Sequence, residues 1–168
     1  LLTNTRIRMF RRCSREHDLY YGRGIRSRAA DGAAATFGSL GHLAQEAWWG
    51  HAGDDRIDAA MSAITDAVAG SDVPYDMYDV EKLRSLMLGY HARWIDEPYE
   101  VLAVEREFAG LPIVNPDTGE VHPIYTRAGK VDVVLRDARD QRIYVLDHKF
   151  TSSEATPGSA YLTKLRLD

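Results

Sequence analysis

The sequence predicts a mixed domain of the α+β class, with an N-terminal helical region followed by a mainly antiparallel sheet. Three observations predict it. A helical period runs to residue 97, the period changes to two after Pro98, and helical spacing resumes in the last ten residues. An edge strand pairing in parallel would move the class to α/β. At 168 residues, 45% hydrophobic and 27% charged, the chain is long enough for one domain with a sizeable core. We therefore expect a single domain over 1–168, mainly helical over 1–97 and mainly sheet over 98–168, with helices flanking the sheet.

The first helix is expected in "NTRIRMFRRCSREHDLYY" (4–21), where Ile7, Phe10 and Ser14 keep helical spacing near Met9, Cys13 and Tyr20. "RSRAADGAAATFGS" (26–39) is small, polar and glycine-containing, so it reads as a loop. In "FGSLGHLAQEAWWGHA" (37–52), Leu40, Leu43, Ala44, Ala47 and Trp48 form an apolar stripe. "DDRIDAAMSAITDAVAG" (54–70) has Asp caps in front and Gly behind, with Ile57, Met61, Ile64 and Val68 on one face. "DVEKLRSLMLGYHARWID" (79–96) is the fourth helix, ended by Pro98. "YEVLAVEREFAG" (99–110) then alternates as a strand, and "NPDTGE" (115–120) has the Pro, Asp and Gly of a turn. Strands resume in "IYTRAGKVDVVLRD" and "RIYVLDHKF", joined by "DARDQ", and "SAYLTKLRLD" opens a closing helix.

Composition narrows the function. No apolar run approaches the roughly 18–20 residues of a membrane span, and the N-terminus lacks the apolar centre of a signal peptide. The chain starts at Leu1 without a Met, as a trimmed or partial chain would. Cys13 is the single cysteine, which excludes an intramolecular disulfide framework and suits a reducing compartment, so a cytoplasmic protein is expected. The net charge of −4 is unevenly spread: residues 1–28 carry eight Arg against Glu16 and Asp18, leaving −10 on the remainder. A basic arm on an acidic body points to a polyanion-binding edge, and a solvated charged helix face accounts for the same charges.

The last two strands carry charges that a sheet does not need. In the first, Val131, Val133 and Leu135 share one face and Asp132 lies on the other. In the second, Tyr144, Leu146, His148 and Phe150 share a face, opposite Asp147 and Lys149. Asp132 and Asp147 are 15 residues apart, enough for two strand arms and a tight connection. A hairpin therefore brings two carboxylates and an ammonium to one sheet face. Carboxylates that close repel, and a hard divalent cation such as Mg²⁺ removes the conflict. Lys149 is then placed to orient water or to neutralise a phosphate, which is equipment for metal-assisted phosphodiester hydrolysis. A surface ion pair between Asp147 and Lys149 is the plainer reading of the same D-x-K. Glu105 and Glu107 share a face of the preceding strand; Glu105 borders the metal site in one reading, and pairs with a cross-strand Arg in the better one.

Four stretches in order, "FRRCSREHDLYYGRG", "GSLGHLAQEAWW", "AGKVDVVLRD" and "YVLDHK", resemble the RecB-like branch of the PD-(D/E)XK nuclease superfamily. Phage-type single-domain exonucleases of that branch also share a turn similar to "NPDTGE". The resemblance implies a restriction-endonuclease-like core and a DNA exonuclease dependent on Mg²⁺ or Mn²⁺, acting at DNA ends in recombination, repair or phage DNA processing. It implies that His42, Asp132 and Asp147 hold the metal with the backbone carbonyl of His148, and that Asp132, Asp147 and Lys149 carry the chemistry. Without the family, His42 reads as a half-buried histidine packed by Leu43 and Trp48; Glu46, one turn on, reads as a hydrogen-bond partner for the histidine or, the better reading, as an exposed glutamate.

DNA contacts are expected from Arg11, Arg12 and Arg15, and from Tyr161 and Lys164 on the closing helix. Some relatives tie an iron–sulfur cluster with one N-terminal Cys and three more beyond the core. One thiolate cannot hold a cluster that needs four, so Cys13 is expected to be a small core residue. DNA is the implied partner, with a helicase or recombinase as a protein partner of unknown identity. The family's C-terminal DNA-contacting motif would begin where this chain stops, at Asp168. This keeps open a nuclease fold that grips DNA ends or a partner without cutting. A plain interaction domain with surface charge pairs is the third reading.

Overall fold

Helices α1 (Asn4–Arg12), α2 (Ser14–His17), α3 (Ala33–Gly50), α4 (Asp55–Ala69) and α5 (Met77–Trp94) precede three strands, β1 (Tyr99–Val114), β2 (Val121–Asp137) and β3 (Ile143–Leu146). The class is α+β, as the sequence predicts. The structure is a computed structural model, and it describes residues 1–25, 33–72 and 74–150, the first three residues of α3 by backbone alone. The segment expected to form a closing helix, with Tyr161 and Lys164, lies outside the described residues, as do Arg26 and Arg28. No helix among the described residues is long and apolar enough to cross a membrane. The chain divides into two units, Leu1–Ala30 with Glu100–Leu146, and Asp31–Tyr99 with Asp147–Asp168.

The first unit is built on the sheet, ordered β1-β2-β3. The 115–120 turn closes with Asn115 N–H donating to Glu120 O at 2.9 Å and Gly119 at φ 73°. β2 and β3 are antiparallel, pairing Val133 with Leu146 and Leu135 with Tyr144. Val133 and Leu135 are buried, and Asp137 on the same face is buried too. Its charge is met by the Arg139 guanidinium, which donates to both carboxylate oxygens and holds the Asp137 carboxyl below its ordinary value. β3 stops at Leu146, four residues short of the strand expected through Phe150. The alternation of faces therefore cannot be carried to His148 and Lys149. Ile143 and Val145 are both more than half exposed, so little apolar packing extends that edge.

The N-terminal segment is also shorter-ranged than expected. Leu2 bridges to β2, with its N–H on Thr126 O and its carbonyl accepting from Ala128. Thr3 then caps α1 by accepting from Arg6 N–H at 3.2 Å. The single helix expected over 4–21 breaks at Cys13, whose extended backbone (φ −159°) lets its Sγ accept from Glu16 N–H and start α2. Cys13 is exposed, not a core residue. A π-helical turn, Asp18–Gly22, ends the segment. Here side chains gather on aromatic edges: His17 meets Phe10 and Tyr21, and the Arg6 guanidinium lies 5.0 Å over the Tyr21 ring.

The second unit is a helical core. Phe37, Leu40, Ala44, Trp48 and Trp49 from α3, Ala60 and Ile64 from α4, and Val80, Leu83 and Met87 from α5 are all buried. The expected stripe on α3 is buried at Leu40, Ala44 and Trp48, part-buried at Ala47 and exposed at Leu43; Gln45 and Trp49 are buried beside it. α3 also begins at Ala33, inside the stretch read as a loop, because its alanines favour helix. Asp76 caps α5 by accepting from Tyr78 N–H at 2.9 Å. Asp54 precedes α4 without a side-chain capping bond, so only the acidic first turn, Asp55 and Asp58, supports that end.

Candidate active site

On the sheet unit, the motif "GKVD" owes its glycine to packing. A Cβ on Gly129 would lie 2.7 Å from Cζ of Phe108, so β2 must offer a bare backbone where β1 drops its ring. Phe108 faces inward because β1 changes phase at Glu105. Tyr99, Val101 and Ala103 are part-buried before it, and the next clearly inward side chain is Phe108. Glu105 itself has φ 51°, the left-handed region, and an extra residue of this kind is how a bulge shifts a strand's faces. Glu105 and Glu107 thus do not simply share a face. The partner of Glu105 is Lys130, not an Arg. A ligand oxygen of Glu105 lies within 4.8 Å of one from Asp132. Both residues are only part-exposed.

One step beyond the last registered pair, Val133 with Leu146, stand Asp132 on β2 and Asp147 just after β3. Asp147 opens the segment of the chain that belongs to the helical unit. Its Oδ2 lies 2.5 Å from Lys149 Nζ, and both side chains are about half exposed. An exposed pair of this kind contributes about 0–1 kcal/mol. Holding the fold is therefore a poor reason for it, and both groups stay accessible to solvent-borne ligands. Lys149 Nζ also lies 3.4 Å from the His148 carbonyl.

Two contacts fasten this segment to the helices. Phe150 lies edge-on to His42, 5.5 Å between ring centroids, and edge-on to Phe37. Gly41 makes room for it, since a Cβ there would meet the Phe150 ring at 2.6 Å. The glycine immediately before His42 is thus explained by the residue immediately after D-x-K. The second contact is Tyr90. Trp49 Nε1–H donates to the Tyr90 hydroxyl at 3.1 Å, which leaves the phenolic hydrogen for His148 Nε2, also at 3.1 Å. His42 is half-buried and Glu46 is exposed, as expected for the latter. Arg11, Arg12 and Arg15 are exposed, with Arg12 paired to Glu16.

Tyr90 carries no signal in the sequence beyond its place on a helix. Burial pushes its hydroxyl up to about 12, against smaller opposing effects of Trp49 and the Arg56 cation. The folded value exceeds the ordinary tyrosine value of 10.0, so the stabilisation is complete below about pH 10 and is lost as pH rises through about 12. We expect wild type to lose on the order of 2–3 kcal/mol across that window relative to Tyr90→Phe, measured by urea unfolding at stepped alkaline pH. Equal alkaline loss in both proteins would place Tyr90 outside the core.

Two carboxylates this close, one of them on a strained backbone, form an oxygen donor set that suits a hard divalent cation. Comparison with curated proteins found no match, and comparison with solved structures found none either. Comparison with protein families did: residues 2–165 match the PD-(D/E)XK nuclease superfamily, whose members are divalent-metal-dependent hydrolases of nucleic acid. The match takes in both carboxylate-bearing strands, the His42 helix and the D-x-K segment, and the chain belongs to the PD-(D/E)XK nuclease superfamily.

Proposed function

We propose that the protein is a Mg²⁺- or Mn²⁺-dependent DNA exonuclease of the RecB-like branch, hydrolysing phosphodiester bonds at DNA ends in recombination, repair or phage DNA processing. The observation that carries the reading is the closely spaced carboxylate pair, Glu105 and Asp132, in a chain matched to nucleases over nearly its whole length. By the family pattern, Asp132 and Asp147 would hold the cation with His42 and the His148 carbonyl. A divalent cation supplies Lewis-acid polarisation of the phosphodiester and charge neutralisation. Lys149 orients the attacking water through its ammonium and balances charge on the phosphate. The water oxygen adds at phosphorus as the P–O3′ bond breaks, the water gives up a proton and the leaving 3′-oxygen takes one up, giving a 5′-phosphate and a 3′-hydroxyl. Tyr90 sets the D-x-K backbone by holding the His148 ring. Tyr161 and Lys164 join the DNA contacts, the compartment is the cytoplasm (the host's for a phage protein), and a helicase or recombinase is the expected protein partner.

End-labelled linear DNA and covalently closed circular DNA, each with and without Mg²⁺, test the proposal. Degradation of the linear form alone, and only with metal, is expected. Cleavage of circles would make the protein an endonuclease. DNA retained on a filter but never cut would leave the nuclease-fold binding module.

The N-terminal arginines set affinity without reading sequence. Every phosphate that goes without its arginine should lower the log–log salt slope by about 0.7–0.9. Replacing Arg11, Arg12 and Arg15 by Gln is expected to flatten that slope, measured by fluorescence anisotropy over a salt series. An unchanged slope would leave these exposed residues as a solvated helix face.

A further inference from the structure

Glu105 occupies a backbone position better suited to glycine. Its φ of 51° is left-handed, and β1 uses a glycine where it needs the same region again, Gly110 at φ 76°. The carboxylate at this strained position is only 13% exposed and is engaged by the ammonium of Lys130, itself 48% exposed. Strain of this kind persists where a side chain is needed at that spot. Lys130 and Asp132 are two residues apart on β2 and so share a face, and Glu105 and Asp132 bring ligand oxygens within 4.8 Å of each other. Two carboxylates at this separation repel, and a cation beside them offsets the repulsion. On the resting chain Lys130 supplies that charge.

We propose that Glu105 is a further metal-holding carboxylate of this site, and that Lys130 is the cation it gives up when the divalent ion binds. The left-handed backbone sets the carboxylate toward Asp132. Lys130 pairs with it and holds it in place, and its long, half-exposed side chain can swing into water without disturbing the strand. The inference rests on the metal-dependent nuclease reading, and Asp132 serves as the control that separates the two.

The test is Mn²⁺ titration by calorimetry on the full chain, with thermal melting alongside. Asp132→Ala should lose binding. Glu105→Gln, nearly isosteric, should weaken Mn²⁺ by about ten- to a hundredfold. Glu105→Gly should weaken it as much while melting no lower than wild type, because glycine relieves the backbone. Lys130→Met should tighten Mn²⁺ by removing its competitor. Wild-type affinity in both Glu105 variants, with Asp132→Ala impaired, overturns the inference and leaves the nuclease reading standing. Weaker Mn²⁺ binding in Lys130→Met overturns the exchange. No Mn²⁺ binding by wild type, or none lost in Asp132→Ala, removes the nuclease reading itself.

Discussion

Asp132→Ala is expected to lose Mn²⁺ binding and turnover together, whereas Lys149→Ala keeps the metal and loses turnover by about 10²–10⁴-fold, the usual range for a positioned proton-handling group. The contrast follows from chemistry. Asp132 offers an oxygen beside a second carboxylate, and a site with one donor removed binds a hard cation poorly. Lys149 has no lone pair to offer while protonated and acts on water and phosphate instead. The Lys149 substitution should leave stability nearly unchanged, within about 1 kcal/mol, because its pair with Asp147 is half exposed on both sides. Calorimetry with Mn²⁺ and turnover of linear DNA check both statements. Equal Mn²⁺ affinity in the two variants would remove Asp132 from the ligand set.

Trp48→Ala should damage the protein most without touching the chemistry. Trp48 is 0% exposed, its Nε1–H donates to His91 Nδ1 at 3.2 Å, and the Arg56 guanidinium lies 4.5 Å over its ring. Burial lowers the Arg56 pKa, so that cation is partly desolvated against the indoles. Truncating a buried Trp costs about 3–5 kcal/mol, against a total stability of about 5–15 kcal/mol for a folded domain. At about 2–4 °C per kcal/mol for chains of 150–250 residues, the melting point should fall by roughly 6–20 °C. Trp48→Phe should recover part of that loss, since it refills the cavity without the hydrogen bond. Circular dichroism melts decide it: a fall of less than about 3 °C for Trp48→Ala, under about 1.5 kcal/mol on the same scale, would mean that the helical core does not depend on this residue.

Where the fold was legible, the signal was local. The stripe Ile57, Met61, Ile64 and Val68 places α4, and Asn115 to Gly119 encode their own turn. The change of period at Pro98 separates helices from strands because the two backbones repeat their side chains differently. The β2–β3 register also follows from sequence, since alternation and a short polar loop allow few pairings. Even the motif "GKVD" is visible as a charge that a strand would not otherwise hold, and D-x-K as charges just past the end of the next strand.

Local pattern failed where one residue's environment is supplied by a distant segment. The sequence alone determined the class, most helix positions, the family and the residues Asp132, Asp147 and Lys149 as candidates. Only the tertiary structure decided that Glu105 is left-handed, that its partner is Lys130, and that Phe108 needs Gly129 bare. It also decided that Phe150 needs Gly41 bare and that His148 is held by Tyr90 across 58 residues. Cys13 broke a helix that its neighbours' periodicity would have continued, because capping α2 through its sulfur competed with one more turn of α1. Periodicity reports which way a side chain points along its own element. A steric demand on a glycine, a strained φ or a buried hydroxyl depends on atoms that arrive only when the elements pack.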